Sequence, residues 1–300
     1  MSLREHAEDP QLVMNLVRMC PETFFVLVEG TSDYRFLANH VPDHVAIKDL
    51  AGRREVINAC RLLNISSKKV GNYVGLADAD FRVVTGMKEE APRVVHVSLG
   101  ENTNDSCIDL EASLLRTRAL RKVCVDILGN QVERLGGASS LEARLRSWLR
   151  TVASGVGAYR AAVMESYIRR EHVRTLSDLD TNAAAWQEFS DARTLSFDTE
   201  KMHSAMCRRV LPSTAVDAIK QTAKDYLTNH GDGWLLCRGH DMTFLLARFF
   251  SENGTRPVSH PEAESKLRLA FERSMLRETA FGRELVCYLP DFEGAPVTVR

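Results

Sequence analysis

Apolar and polar positions fall in blocks along this chain, and the densest block predicts its centre. Phe24-Phe25-Val26-Leu27-Val28 is a run of five apolar residues, aromatic and β-branched, the pattern of a strand buried on both faces in a parallel sheet. The run stops at Glu29. Gly30 permits a tight turn, and Thr31, Ser32 and Asp33 offer an N-cap for a helix over Tyr34–Asn39. Upstream, Leu12, Leu16 and Val17 mark one face of a helix over residues 10–20. Downstream, Val45–Leu50 predicts a second strand. The turn Ala51-Gly52-Arg53-Arg54 leads into a helix ending near Asn64, with Val56, Ile57, Cys60 and Leu63 on one face. Tyr73-Val74-Gly75-Leu76-Ala77 predicts a third strand and Val94–Val97 a fourth. Strands alternating with helices predict βαβ units and a mostly parallel sheet with right-handed crossovers.

After about residue 110 the pattern changes to long helical segments over 109–128, 139–153, 156–173, 199–210 and 214–229, with a last helix over 262–280. The stripes Trp148, Leu149, Val152 and Phe244, Leu245, Phe249 have helical spacing and predict core. One strand-like run, Gly233–Cys237, interrupts the helices and is expected near the sheet. The fold class expected is α/β. A mostly parallel sheet flanked by helices would occupy residues 1–115, and a mainly helical C-terminal domain residues 116–300.

A hydrophobic content of 44% in 300 residues is ample for a core. No uninterrupted apolar stretch approaches the roughly 18 residues that span a bilayer, and the first ten residues are too polar and acidic for a signal peptide. Seven cysteines stand singly, with no Cys-x-x-Cys pair, which points to free thiols in a reducing compartment and away from a zinc site. A cytoplasmic protein without a membrane partner is expected. The net charge of −1 hides an uneven distribution. Residues 116–174 carry 12 Lys/Arg against 5 Asp/Glu, whereas residues 1–115 carry 12 against 17. Arginine, the better partner for phosphates through its planar fork, dominates the basic residues. Arg144, Arg146 and Arg150 are therefore candidates for holding a nucleic-acid backbone. A solvated helix face with internal ion pairs, or a docking face for a protein partner, accounts for the same charges. Arg53 and Arg54 at a helix start could also contact phosphate, with solvation of the surface as the alternative role. Lys68-Lys69 is a loop charge pair.

The acidic residues complete the pattern. Asp78 and Asp80 stand two apart at the end of the third strand. Glu29 and Asp33 are four apart across a turn into a helix. Asp109 and Glu111 occur in Ile108-Asp109-Leu110-Glu111, where a helix begins. Carboxylates gathered at strand ends repel one another unless cations lie between them, and Mg²⁺ favours such oxygen ligands.

Val28-Glu29-Gly30 followed by Asp78-Ala79-Asp80 resembles the TOPRIM domain, the catalytic module of topoisomerases, primases and several nucleases, over about residues 24–115. Glu29-Gly30-x-x-Asp33 and Leu110-Glu111 are similar to the nuclease branch related to the OLD (overcoming lysogenization defect) enzymes. Cys237-Arg238-Gly239-His240-Asp241 and the helical remainder resemble DUF4435, a TOPRIM-like family. That family includes the nuclease effector of the phage anti-restriction-induced defence system, which works with an ABC-type ATPase. The resemblance implies a Mg²⁺- or Mn²⁺-dependent endonuclease with two ions, one held by Asp78, Asp80 and Glu111, the other by Glu29 and Asp33. Arg238 and His240 would supply positive charge at the scissile phosphate. It further implies an RNA substrate, tRNA in particular, with DNA not excluded, an ATPase partner and a homodimer when active. No P-loop is present, so the ATPase must be a separate chain. Two other classes stay open. A phosphohydrolase of the haloacid dehalogenase kind also uses Asp-x-Asp at a strand end, and a non-catalytic interaction subunit could retain the fold.

Overall fold

In the computed structural model of the chain, which describes residues 8–65, 70–87, 91–97, 106–171, 186–210, 213–231 and 233–289, the four predicted strands form. Lys68 and Lys69 lie outside the described residues. The chain divides into two compact units. The first comprises Met1–Ala79, Lys88–Leu99 and Glu272–Arg300, the second Asp80–Met87 and Gly100–Phe271.

The first unit is built on β1 (Phe24–Val28), β2 (Val45–Asp49), β3 (Tyr73–Ala77) and β4 (Val94–His96). All are parallel, in the order β2-β1-β3-β4. The α/β class expected from the pattern is thus observed. Helices α1 (Pro10–Met19), α2 (Thr31–Ala38) and α3 (Arg53–Ile65) connect or precede the strands. Phe25, Leu27, Tyr73 and Ala77 project into one core cluster with Val13 and Val17 of α1 and Val56, Cys60 and Leu63 of α3. Their alternation with Val26 and Val28, buried outside that cluster, is the two-residue period of a strand covered on both sides. Gly75 makes room for α3: a Cβ there would lie 2.7 Å from Cys60 Sγ and 2.9 Å from Val56 Cγ1. Helix α2 starts earlier than predicted, with Gly30 at its N-cap and no side-chain cap. The Thr31 hydroxyl is engaged elsewhere, donating to Asp49 Oδ2 at 2.9 Å. The last described helix, α12 (Ala280–Tyr288), packs on β3 and β4, and the Arg93 guanidinium lies 5.1 Å from the Tyr288 ring centroid.

Among its described residues the second unit is helical apart from a two-stranded antiparallel ribbon, β5 (Ser190–Asp191) and β6 (Ser196–Phe197). Its helices are α4 (Leu110–Leu115), α5 (Ala119–Leu128), α6 (Gln131–Arg134), α7 (Ala138–Arg169), α8 (Thr199–Cys207), α9 (Val216–His230), α10 (Gly239–Asn253) and α11 (His260–Ala270). Four sequence expectations are corrected. The segment 109–128 breaks at Arg116–Arg118, where the Thr117 hydroxyl accepts from Ala119 N–H and donates to the Leu114 carbonyl. The segments 139–153 and 156–173 form one helix that runs through Ser154-Gly155-Val156-Gly157 to Arg169. The segment 262–280 stops at Ala270, because Phe271 turns extended and is buried. Gly233–Cys237 is no strand. It is a buried turn closed by Cys237 N–H on the Trp234 carbonyl, so its apolar side chains serve packing and not a ladder. Trp148, Leu149 and Val152 are core as predicted, as are Leu245 and Phe249, whereas Phe244 is half-buried with its ring edge-on to His260. All seven cysteines are free thiols. No described helix is long and apolar enough to cross a membrane.

Candidate functional site

In the first unit the strand order places a topological switch point between β1 and β3, because the chain leaves β1 for β2 on one side and returns to β3 on the other. Open parallel sheets bind ligands in the crevice at the carboxyl ends of such strands. Glu29 follows β1 and Asp78 follows β3, both half-buried. Glu29 Oε1 accepts the Asp78 N–H at 2.7 Å, while Arg53 Nε donates to the Asp78 carbonyl at 2.8 Å. The peptide groups on both sides of the Asp78 Cα are thereby fixed. Arg53, predicted as a phosphate contact, acts here on the strand end. Asp33 sits in the first turn of α2, also half-buried. A third strand-end acid, Asp49, closes β2. It is buried and accepts from Thr31 Oγ1 and Ala51 N–H, each at 2.9 Å, which makes it a turn-holding group.

The Asp-x-Asp pair straddles the division of the chain, and Asp80 opens the second unit. Asp80 is exposed, with φ of 54°, a left-handed conformation that Asp tolerates better than most residues. Its N–H donates to the Ile108 carbonyl at 3.0 Å. The Asp109 carboxylate joins two helix starts, accepting from Ala112 N–H of α4 at 3.0 Å and from Gly239 N–H of α10 at 2.6 Å. Burial, reinforced by the neighbouring Glu111, pushes the Asp109 pKa up to about 7. Gly239 has no room for a side chain, since a Cβ would lie 2.4 Å from Asp109 Oδ1.

Glu111 is buried and ion-paired with Arg268, which also reaches Glu264 Oε1 at 2.8 Å. Glu264 Oε2 stands 3.5 Å from His240 Nδ1 and 3.7 Å from His260 Nε2. Thus Glu111 and His240, far apart in sequence, share one network, but with Arg268, His260 and Glu264, none of which the sequence reading singled out. The i,i+4 pair His260/Glu264 was the available signal. His240, half-exposed, is held at a raised pKa chiefly by its contact with Glu264. Arg238 is exposed and lines a cavity of about 260 Å³ with Asp80, Phe81, Ile108, Arg160 and Met164. Arg160, a further residue missed in the sequence, pairs with buried Asp241 at 2.9 Å.

The three arginines of α7 separate. Arg146 Nε and Nη2 donate to the Leu115 and Thr117 carbonyls, both at 3.1 Å, and Nη2 also meets Glu142. It is the strut that holds the break between α4 and α5. Arg144 is exposed and makes a longer bond, 3.2 Å, to the Leu135 carbonyl, and Arg150 is half-buried. Arg146→Gln is therefore expected to lower stability by about 1–3 kcal/mol through loss of charge-assisted bonds. Arg144→Gln should stay within about 0.5 kcal/mol of the parent. Urea unfolding of both variants checks this, and equal midpoints would contradict the strut.

No protein-family model, no curated protein and no solved structure matches this chain.

Proposed function

We propose that this chain is a divalent-cation-dependent endonuclease of the TOPRIM kind. The observation that carries the reading is the pair of acids at the switch point, Glu29 after β1 and Asp78 after β3, joined by the bond from the Asp78 amide to the Glu29 carboxylate. The donor set supports it as well. Glu29, Asp33 and Asp78 offer carboxylate oxygen alone, which suits Mg²⁺ or Mn²⁺ and not a soft ion. By resemblance these three are the candidate ligands in the first unit; among the described residues their carboxylates do not form a group within 4.8 Å of one another, so a cation would have to draw them together. Glu111 is the weakest of the expected ligands, because it would have to leave Arg268. A bound cation would lower the pKa of a water and offset charge on the phosphoryl oxygens.

The chain's own groups prepare for this. Glu29 and Arg53 set the Asp78 backbone from its two sides. Arg238, which lines a cavity together with Arg160, supplies positive charge for a phosphate, with Phe81 and Met164 as apolar surface for a base. The role as a cytoplasmic toxic effector of phage defence acting on tRNA, with an ABC-type ATPase partner and an active homodimer, rests on the resemblance of residues 237–241 and is proposed on that ground.

Incubating the purified chain with Mn²⁺ or Mg²⁺ and tRNA, ribosomal RNA, single-stranded DNA, duplex DNA or p-nitrophenyl phosphate tests the reading. Cation-dependent shortening of a polynucleotide is expected, abolished by chelator. Release of nitrophenol without polynucleotide cleavage would assign a phosphohydrolase. Inertness toward all five substrates, with no measurable Mn²⁺ binding, would leave an interaction subunit.

A further inference from the structure

We propose that His240, His260 and Glu264 form a second metal site, independent of the acids in the first unit, which takes a borderline-soft divalent ion such as Zn²⁺. Among the described residues these three offer one ligand atom each, all within 4.8 Å of one another. The helices that carry them explain the convergence. His260 and Glu264 are one turn apart on α11 and so share a face. His240 stands in the first turn of α10, which packs on α11.

The distances suit an ion. Metal–ligand bonds of about 2.0–2.1 Å in a tetrahedron put ligand atoms roughly 3.3 Å apart. Glu264 Oε2 is 3.5 Å from His240 Nδ1 and 3.7 Å from His260 Nε2, so only small side-chain rotations are needed. The surroundings allow them and admit the ion from solvent: the His240 side chain is 50% exposed and that of His260 32%.

The two oxygens of Glu264 have different tasks. Oε2 faces both imidazoles, while Oε1 is held by Arg268 at 2.8 Å. A ligating carboxylate fixed through its second oxygen is the usual outer support of a metal site. Thr243 Oγ1, at 2.8 Å from His260 Nε2, occupies the position that an ion would contest. Its hydroxyl also reaches the Gly239 and His240 carbonyls, so it keeps partners when Nε2 turns to metal. Two imidazoles and one carboxylate select Zn²⁺ or Co²⁺ over Mg²⁺ or Ca²⁺, which prefer oxygen. Three protein ligands also leave a fourth position for water or a substrate oxygen.

The test uses the full chain stripped with chelator and titrated with Zn²⁺ by calorimetry and with Co²⁺ by visible absorption. One equivalent should bind to the site, with a tetrahedral cobalt spectrum and a raised melting temperature. His240→Gln, His260→Gln and Glu264→Gln should each weaken binding by about 100-fold or more. His44→Ala, an exposed histidine elsewhere, should leave it unchanged, as should Glu29→Gln. Circular dichroism in chelator identifies any variant that fails to fold. If the His240→Gln/His260→Gln double variant folds and binds Zn²⁺ like the parent, or if the parent binds none below millimolar concentration, the cluster is an ion-pair network and the proposal fails.

Discussion

Glu29→Gln is expected to abolish cation-dependent cleavage while leaving the fold intact. The two parts of this result have different origins. Gln keeps a side-chain oxygen at the same reach, so it can still accept the Asp78 N–H that Glu29 Oε1 takes at 2.7 Å. It loses the negative charge that would draw a divalent ion. Removing a single charge-stabilising group from a preorganised site costs roughly 10²–10³ in rate, and a ligand should cost no less. Glu29→Ala loses charge and acceptor together. It should be equally inactive but also less stable by about 1 kcal/mol, through the unmet Asp78 amide. The pair of variants therefore separates chemistry from positioning. Activity retained in Glu29→Gln but lost in Glu29→Ala would make Glu29 a backbone-holding residue and remove it from the cation site. Activity retained in both would defeat the nuclease reading of this stretch.

Strands β1 and β3 were legible because their five-residue apolar runs, Phe24–Val28 and Tyr73–Ala77, each end at a polar turn. Glu29 and Asp78 were legible for the same reason, since each is the residue at which such a run stops. What could not be read was where equally apolar runs serve a different purpose. Trp234-Leu235-Leu236-Cys237 has a strand's composition, yet it is buried as a turn, and a short apolar run carries no periodicity to separate the two. Residues 154–155 separate two helices in the expected pattern, and glycine at 155 lowers helix propensity. Here helix α7 continues through them, because small residues let neighbouring chain approach. Arg146 stood between a phosphate contact, an internally paired residue and a docking contact, because charge alone does not reveal which carbonyls lie within reach. The His240, His260 and Glu264 cluster joins α10 to α11 across a turn, and no local pattern announces which faces two helices will turn toward each other.

The largest effect on stability is expected at Gly157. A Cβ built there would lie 1.7 Å from the Leu236 carbonyl oxygen and 2.7 Å from its carbon, with Phe81 Cε1 at 3.3 Å. The first two are backbone atoms, so no side-chain rotation relieves the overlap. The turn that carries them is itself held, by Ser154 Oγ at 3.2 Å from Cys237 Sγ and by that thiol on the Arg150 carbonyl at 3.6 Å. Helix and turn must therefore move apart by more than an ångström, opening the packed layer between them. Alanine in mid-helix gains about 1 kcal/mol over glycine, while overpacking costs about 1–3 kcal/mol and more where backbone must shift. Because backbone must shift, the cost lies at or above the top of that range, so Gly157→Ala should lose about 2 kcal/mol or more net, a fall in melting temperature of roughly 4–8 °C or more. Gly155→Ala, two residues earlier, is the control. Its Cβ would meet Met202 Cε and Phe197 Cζ, both at 3.2 Å, the far ends of side chains that can yield, so its effect should stay within about 1 kcal/mol. Thermal and urea unfolding of the two variants decide the matter. A Gly157→Ala protein as stable as Gly155→Ala would mean that α7 does not press against the Leu236 carbonyl, and that its glycines are there for some other reason than close approach.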